Sequence, residues 1–256
     1  MLLGWRIFVH AVRIVVMNIG PALRISVVPY VVVFGLAFYV STRVAPGLFP
    51  PGATEAQGTI FLPDAPAFLL VPVIFVAFAT VYLWVVIGWH RFILLDEQPG
   101  AVTPKWHGTR MLSYLWAVVR LVFAMLVLSI PALFVMFGLS VSDSALVMTV
   151  GAFIVQLALS AAVMLFSLIL PAAAIGHPMG LTHSSGYTWP VKGAILTVAV
   201  LVNLVALIPS VLLLTPLAPV LNTVAYQVIV SWFGLMFGIS VLTTLYGVLV
   251  ENRDLP

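Results

Sequence analysis

Long apolar runs separated by short polar punctuation make up almost the whole chain. The first twenty residues differ from the rest. Arg6, His10 and Arg13 recur at helical spacing and share one face, while Ile7, Phe8, Val12, Ile14 and Val15 lie around the remainder. That pattern predicts an amphipathic helix lying in a membrane interface, ended by Gly20-Pro21. Six apolar segments follow, at about residues 22–42, 67–88, 111–139, 145–175, 191–214 and 224–250. Each reaches the roughly 20 residues that a helix needs to cross a bilayer.

The punctuation between the runs has recognisable turn chemistry. Residues 45–66 form a Pro/Gly-rich loop whose charges are Glu55 and Asp64. His90-Arg91 closes the second run, and Asp96 to Gly100 makes a turn. Thr103-Pro104 then has the cap and first-turn chemistry of a helix start, placing Trp106 and Arg110 at i,i+4. Ser142 or Asp143 is the expected N-cap of the fourth span. Residues 176–190 form a polar connection, and 215–222 form a turn carrying Pro216 and Pro219.

Composition strengthens this reading. Of 256 residues, 63% are hydrophobic and 7% charged, against about 45–50% and about 25% in soluble domains; the mean hydropathy is +1.24. The sequence therefore predicts an all-α polytopic membrane helix bundle. It has six transmembrane helices and short cytoplasmic interfacial helices, with residues 1–256 as a single integral membrane domain. The run at residues 23–40 lies too far from Met1 for a signal peptide. With no cysteine, disulfides, thiolate catalysis, iron–sulfur clusters and Cys-based zinc sites are excluded. The net charge of +3 includes no basic cluster of the kind that tracks phosphates, so no nucleic-acid partner is expected.

Charge placement sets the expected topology. An even number of spans puts both termini on one side. Arg6, Arg13, Arg24, Arg91, Lys105, Arg110, Lys192 and Arg253 fall on that side, and Arg43 falls opposite. The positive-inside rule then places both termini in the cytoplasm. A weak internal repeat accompanies this layout. Residues 99–103 and 178–182 share Pro, an aliphatic residue and Thr at a 79-residue offset, and Thr109 matches Thr188 under the same offset. The arrangement suggests three parallel units, each an interfacial helix followed by two spans.

The two cytoplasmic blocks carry a family resemblance. His90-Arg91, Leu94-Leu95, Glu97 and Pro99, followed by Trp106 and Arg110, resemble a pattern in bacterial six-span proteins. Leu170-Pro171-Ala172-Ala173-Ala174-Ile175-Gly176, with Pro178 and Leu181, resembles their second block. The layout is similar to YciC-like proteins and to the membrane domain fused to some glycerophosphodiester phosphodiesterases. This sequence departs from the pattern at Ser184 to Thr188, which are neutral where that block usually carries Trp and basic residues. The resemblance implies a multi-pass protein of the bacterial inner membrane and carries over no catalytic residue.

Few residues could carry chemistry. Arg120 is the one clear ionisable residue inside a span, about 15 Å of helix rise beyond Arg110. It reads as snorkelling or bonded to backbone, with an anion or headgroup site, or contact with a partner subunit, as the alternatives. Asn203 and Gln156 are neutral polar residues at membrane depth, expected to bond between helices. No span contains Asp or Glu, which argues against a carboxylate proton relay. His90, Arg91, Asp96, Glu97, Trp106 and Arg110 form a candidate cytoplasmic surface cluster. It reads as a turn whose acids answer Arg91 and Lys105, with a hydrolase as the alternative.

The five histidines, His10, His90, His107, His177 and His183, contain no His-x3-His pair, and no cofactor or metal is expected. Pro29, Pro72, Pro131, Pro171 and Pro209 fall inside spans, where they act as hinges or as tolerated membrane prolines. The sequence thus favours a non-enzymatic accessory, assembly or scaffold component whose partners are membrane lipids and other membrane subunits. A small carrier or channel with Arg120 near its pathway is the alternative, followed by a membrane-embedded lipid-active enzyme.

Overall fold

A computed structural model describes residues 2–40, 65–101, 103–142, 144–212, 215 and 224–255, without the side chains of 37, 65–71, 224, 225 and 227. Arg43, Glu55, Asp64, Asp143, Pro216 and Pro219 lie outside the described residues. Among the described residues nine α-helices follow in order: α1 (Leu2–Met17), α2 (Ile19–Tyr39), α3 (Ala65–Leu95), α4 (Gly108–Ser140), α5 (Ala145–Phe166), α6 (Ile169–Ile175), α7 (Leu181–Thr188), α8 (Lys192–Leu212) and α9 (Val224–Leu249). No strand occurs among them. Six segments are long and apolar enough to cross a membrane: Ile19–Leu36, Pro72–Leu95, Gly108–Ser140, Ala145–Ile175, Leu181–Leu212 and Val228–Leu249. The chain is a multi-pass membrane protein.

Three helix boundaries differ from the sequence expectation, each for a local reason. Gly20-Pro21 does not end the first helix. The interruption is Asn18 alone, and Pro21 sits in the first turn of α2, where an amide donor has no intrahelical partner to lose. Thr103-Pro104 does not start a helix; α4 begins at Gly108 after His107. Pro104 instead packs against Gly88, where an added Cβ would lie 2.7 Å from the Pro104 Cβ. Trp106 therefore precedes the helix that carries Arg110. Ser144, rather than Ser142, caps α5 by accepting from the Val147 amide.

Pro171 is the membrane proline that breaks its helix. Its missing N–H and its ring disfavour a continuous turn back to Ser167, and the fourth span divides there into α5 and α6. The Ser167 carbonyl accepts from the Leu170 amide at 2.9 Å instead. The hydroxyls of Ser184 and Thr188, one turn apart on α7, each donate to the Leu165 carbonyl at 2.9 Å. These neutral residues satisfy a carbonyl beside the break. Pro29, Pro72, Pro131 and Pro209 lie inside α2, α3, α4 and α8 without dividing them.

The short helix created by this break is the centre of the bundle. All seven residues of α6 are buried. Ile169, Leu170, Ala173 and Ala174 join one packed cluster with α2, α3 and α4, and Ala172 and Ile175 join another with α1, α8 and α9. Alanines at 172–174 let the surrounding helices approach closely, which is how helices pack where lipid supplies no hydrophobic driving force.

Helix α1 is more than a surface helix. Gly4, Ile7, Ala11, Ile14 and Val15 form a buried stripe against α8 and α9. At Gly4 a Cβ would stand 2.6 Å from the Ala194 carbonyl oxygen, so only glycine permits this approach. Arg6 and Arg13 remain exposed on another face. No helix occurs in the described part of residues 96–107, so the second of the three suggested units lacks the short helix that α1 and α7 supply to the others.

Candidate functional site

Two regions concentrate polar chemistry. The first lies where α3, α4, α6 and the chain terminus meet. Glu97 is its hub. Arg91 donates to Glu97 Oε2 through Nε at 2.7 Å and through Nη2 at 2.6 Å. Glu97 Oε1 stands 3.2 Å from His107 Nε2 and 3.7 Å from Lys105 Nζ. Arg91 Nη1 also donates to the Ala174 carbonyl at 3.3 Å, close to the C-terminal end of α6. There the helix dipole favours a cation. The space left beside these groups is about 10 Å³, too small for a lipid headgroup.

The other members of the expected cluster are dispersed. His90 is fully buried and does not belong to the surface. Its Nδ1 lies 2.8 Å from Thr243 Oγ1, whose own proton goes to the Ile239 carbonyl. The proton between them therefore belongs to His90 Nδ1, and Nε2 is an acceptor with no partner among the described residues. Asp96 is exposed and holds a left-handed turn conformation at φ 53°. Trp106 packs edge-on against Trp84, ring centres 5.5 Å apart, and Trp84 Nε1 donates to the Pro104 carbonyl at 3.1 Å. Arg110 lays its guanidinium against Gly176, where an added Cβ would be 2.7 Å from Arg110 Cζ. Gly176 has φ 97° and ends α6, the left-handed C-terminal position that glycine adopts without strain.

Arg253 completes this end. Its Nη2 and Nη1 donate to the Leu94 and Ile93 carbonyls at 2.5 and 3.2 Å, satisfying the last turn of α3. Arg6 donates to the Leu255 carbonyl and so joins α1 to the chain terminus. Four arginines thus serve as caps and latches. Sequence reasoning located them and paired Arg91 with the acids of its turn, but did not assign the carbonyl partners, which lie far along the chain.

The intramembrane trio does not converge. Arg120 is half-buried, and its Nε has no partner among the described residues. Asn203 is buried and bonds its own helix, Nδ2 to the Ala199 carbonyl at 2.8 Å. Gln156 is exposed. The expected interhelical hydrogen bond is therefore replaced by an intrahelical one at Asn203. Other interhelical polar contacts come from residues that the sequence reading passed over. Trp89 Nε1 donates to Ser240 Oγ at 2.9 Å, and Trp232 Nε1 donates to Ser26 Oγ at 2.7 Å.

The second region is a partly open cleft of about 350 Å³ among the helices. Tyr82, Tyr114, Ser160, Val202, Gly234 and Gly238 are among the residues around it, so α3, α4, α5, α8 and α9 all contribute walls. Beside Gly234 and Gly238 an added Cβ would meet nothing within 4 Å. None of Arg120, Asn203 and Gln156 lines it. Among the described residues no group of three or more His, Asp or Glu could hold a metal ion. No protein-family model, curated protein or solved structure matches the chain.

Proposed function

We propose that this protein is a non-enzymatic membrane component that works by docking, through the α4–α5 hairpin, with other membrane subunits. One observation carries the reading. Past Leu121, α4 has no fully buried residue, and α5 has none before Met164. These outer halves pack on each other, with Leu139 seated against Gly151, and present Leu126, Ile130, Leu133, Phe134 and Phe137 outward. Only 6% of the best apolar window in α4 is buried within the chain, against 22–39% in the other spans. A hairpin with so little intrachain support is a surface for lipid or for a further helix. Ala158 and Ala162 add small side chains that let a partner backbone approach.

The tight Glu97 cluster also fits a docking protein better than a lipid enzyme, since it offers no space to a headgroup. The similarity in layout to YciC-like inner-membrane proteins, with both termini cytoplasmic, is part of the same reading. The central cavity favours a second reading, a small carrier for uncharged solutes, without Arg120 in its pathway.

The absence of cysteine makes the test direct. Single cysteines at Leu126, Leu133 and Phe137, with controls at the equally exposed Val31 and Phe75, are expressed at native level and cross-linked in intact membranes. Adducts confined to the hairpin positions, containing a second copy or a defined membrane subunit, are expected. An equal yield at the controls, or no adduct at any hairpin position, overturns the proposal.

A further inference from the structure

The central cavity has the construction of a ligand site. Tyr114 is 2% exposed and lines it. The Tyr114 and Ser160 hydroxyls bond to no protein group among the described residues, although helical serines elsewhere in the chain bond back to their own carbonyls, as Ser113 and Ser240 do. Neither hydroxyl oxygen is fully enclosed by protein, and a hydroxyl without a partner in an apolar space is unfavourable unless a ligand there accepts its proton. The volume falls within the 300–1,000 Å³ typical of small-molecule sites, which combine apolar walls with a few placed polar groups.

The position and lining restrict the ligand. Tyr82 stands at the exposed side of the cavity. It lies thirteen residues before the end of α3 at Leu95, about 20 Å of helix rise below the charged end. Access at that depth is from the hydrocarbon layer. No charged side chain is among the lining residues, and an ionised head would have to be desolvated there without a counter-charge. Three hydroxyl-bearing residues on three helices, Tyr82, Tyr114 and Ser160, line one apolar space.

We infer that the cavity among Tyr82, Tyr114, Ser160 and Gly238 binds an uncharged, lipid-soluble molecule whose head presents carbonyl acceptors to these hydroxyls and whose apolar body lies along α9. Gly234 and Gly238 leave the room for that body. The site does not depend on hairpin docking, because a resident neutral lipid would serve a docking protein and a carrier equally.

The test uses the full chain in nanodiscs of phosphatidylcholine with a photoreactive diacylglycerol as probe, and peptide mapping of the adducts. Saturable labelling of the segments around Ser160 and around Gly238 is expected. Unlabelled dioleoylglycerol should compete, and dioleoyl phosphatidic acid, alike in its tails but charged at its head, should not. Tyr114→Phe removes one hydroxyl and should weaken competition roughly three- to tenfold. Gly238→Leu fills the space and should abolish the labelling. Ser160→Leu fills it from α5 and replaces that variant if Gly238→Leu does not fold. Labelling that persists in a folded filled variant, that phosphatidic acid displaces equally well, or that spreads over the exposed face of α4 overturns the inference. Absence of saturable labelling also overturns it, whatever the outcome of the hairpin cross-linking.

Discussion

The Arg91–Glu97 pair sits between two regimes of ion-pair energetics, and its contribution can be worked from its burial. The side chains are 16% and 17% exposed. Fully exposed pairs contribute about 0.2–1 kcal/mol, whereas breaking a fully buried pair costs about 3–5 kcal/mol. The two-point contact from Arg91 to one carboxylate oxygen favours the upper part of the interval, and the remaining solvent access reduces it. A coupling of about 2 kcal/mol is expected. Glu97→Gln alone should cost more than this coupling, because it leaves Arg91, Lys105 and His107 facing one another without the shared acid. The measurement is a double-mutant cycle of Glu97→Gln and Arg91→Gln, with reversible unfolding in mixed micelles followed by tryptophan fluorescence. Trp84 and Trp89 flank the site on α3 and report on it. Raising the salt concentration should change the coupling little, since screening acts mainly on exposed charges. A coupling below about 0.5 kcal/mol, or one removed by salt, would refute the assignment of Glu97 as the hub of this end and return it to an ordinary surface acid.

Three further outcomes follow from other contacts. Gly4→Ala should destabilise the docking of α1 by about 1–3 kcal/mol, the cost of overpacking, because its Cβ would meet the Ala194 carbonyl oxygen at 2.6 Å; amide hydrogen exchange across residues 2–17 should rise, and unchanged protection contradicts the contact. Removing both hydroxyls that serve the Leu165 carbonyl, in Ser184→Ala with Thr188→Val, should lower stability by about 1–3 kcal/mol, measured by the same micellar unfolding. His10 is held below its ordinary value of 6.5 by burial and then by Arg13, so the unfolded chain takes up its proton more readily than the folded one. Stability should then be complete above about pH 6.5 and fall as the pH drops toward the lowered folded value, and His10→Gln should flatten that part of the profile.

The spans were legible because lipid imposes one simple rule, a run of apolar residues long enough to cross. The helix boundaries were less so. Thr103-Pro104 has good helix-start chemistry, yet Pro104 is held against Gly88 by tertiary packing, and the helix begins four residues later. The break at Pro171 could be suspected from the proline, but five prolines share that signal. Ser167, Leu165 and the hydroxyls of α7 decide which of them interrupts its helix. His90 read as interfacial beside Arg91, but one residue is 100° on a helix, and that rotation takes it from the charged end into the core against Thr243. The cavity was not legible, since Tyr114, Ser160 and Gly238 look like ordinary membrane residues until several helices bring them together.

The arginines at the charged end connect topology to fold. Read as a count, Arg6, Arg91, Arg110 and Arg253 express only a charge bias between two sides of a membrane. In the folded chain Arg91 and Arg253 bond carbonyls near the ends of α6 and α3. Arg110 covers the glycine that ends α6, and Arg6 ties α1 to the terminal residues. Helix C-termini present unsatisfied carbonyls and the negative end of the dipole, so a cation placed there stabilises the helix as well as the orientation. Replacing one of these arginines by lysine would keep the charge bias yet lose the planar fork that reaches two acceptors at once. Arg253→Lys should therefore preserve insertion and orientation while weakening the closure between α3 and α9. That separation distinguishes a capping role from a topological one. If Arg253→Lys leaves micellar stability unchanged and Arg253→Gln alters only orientation, the charge alone is what the chain uses.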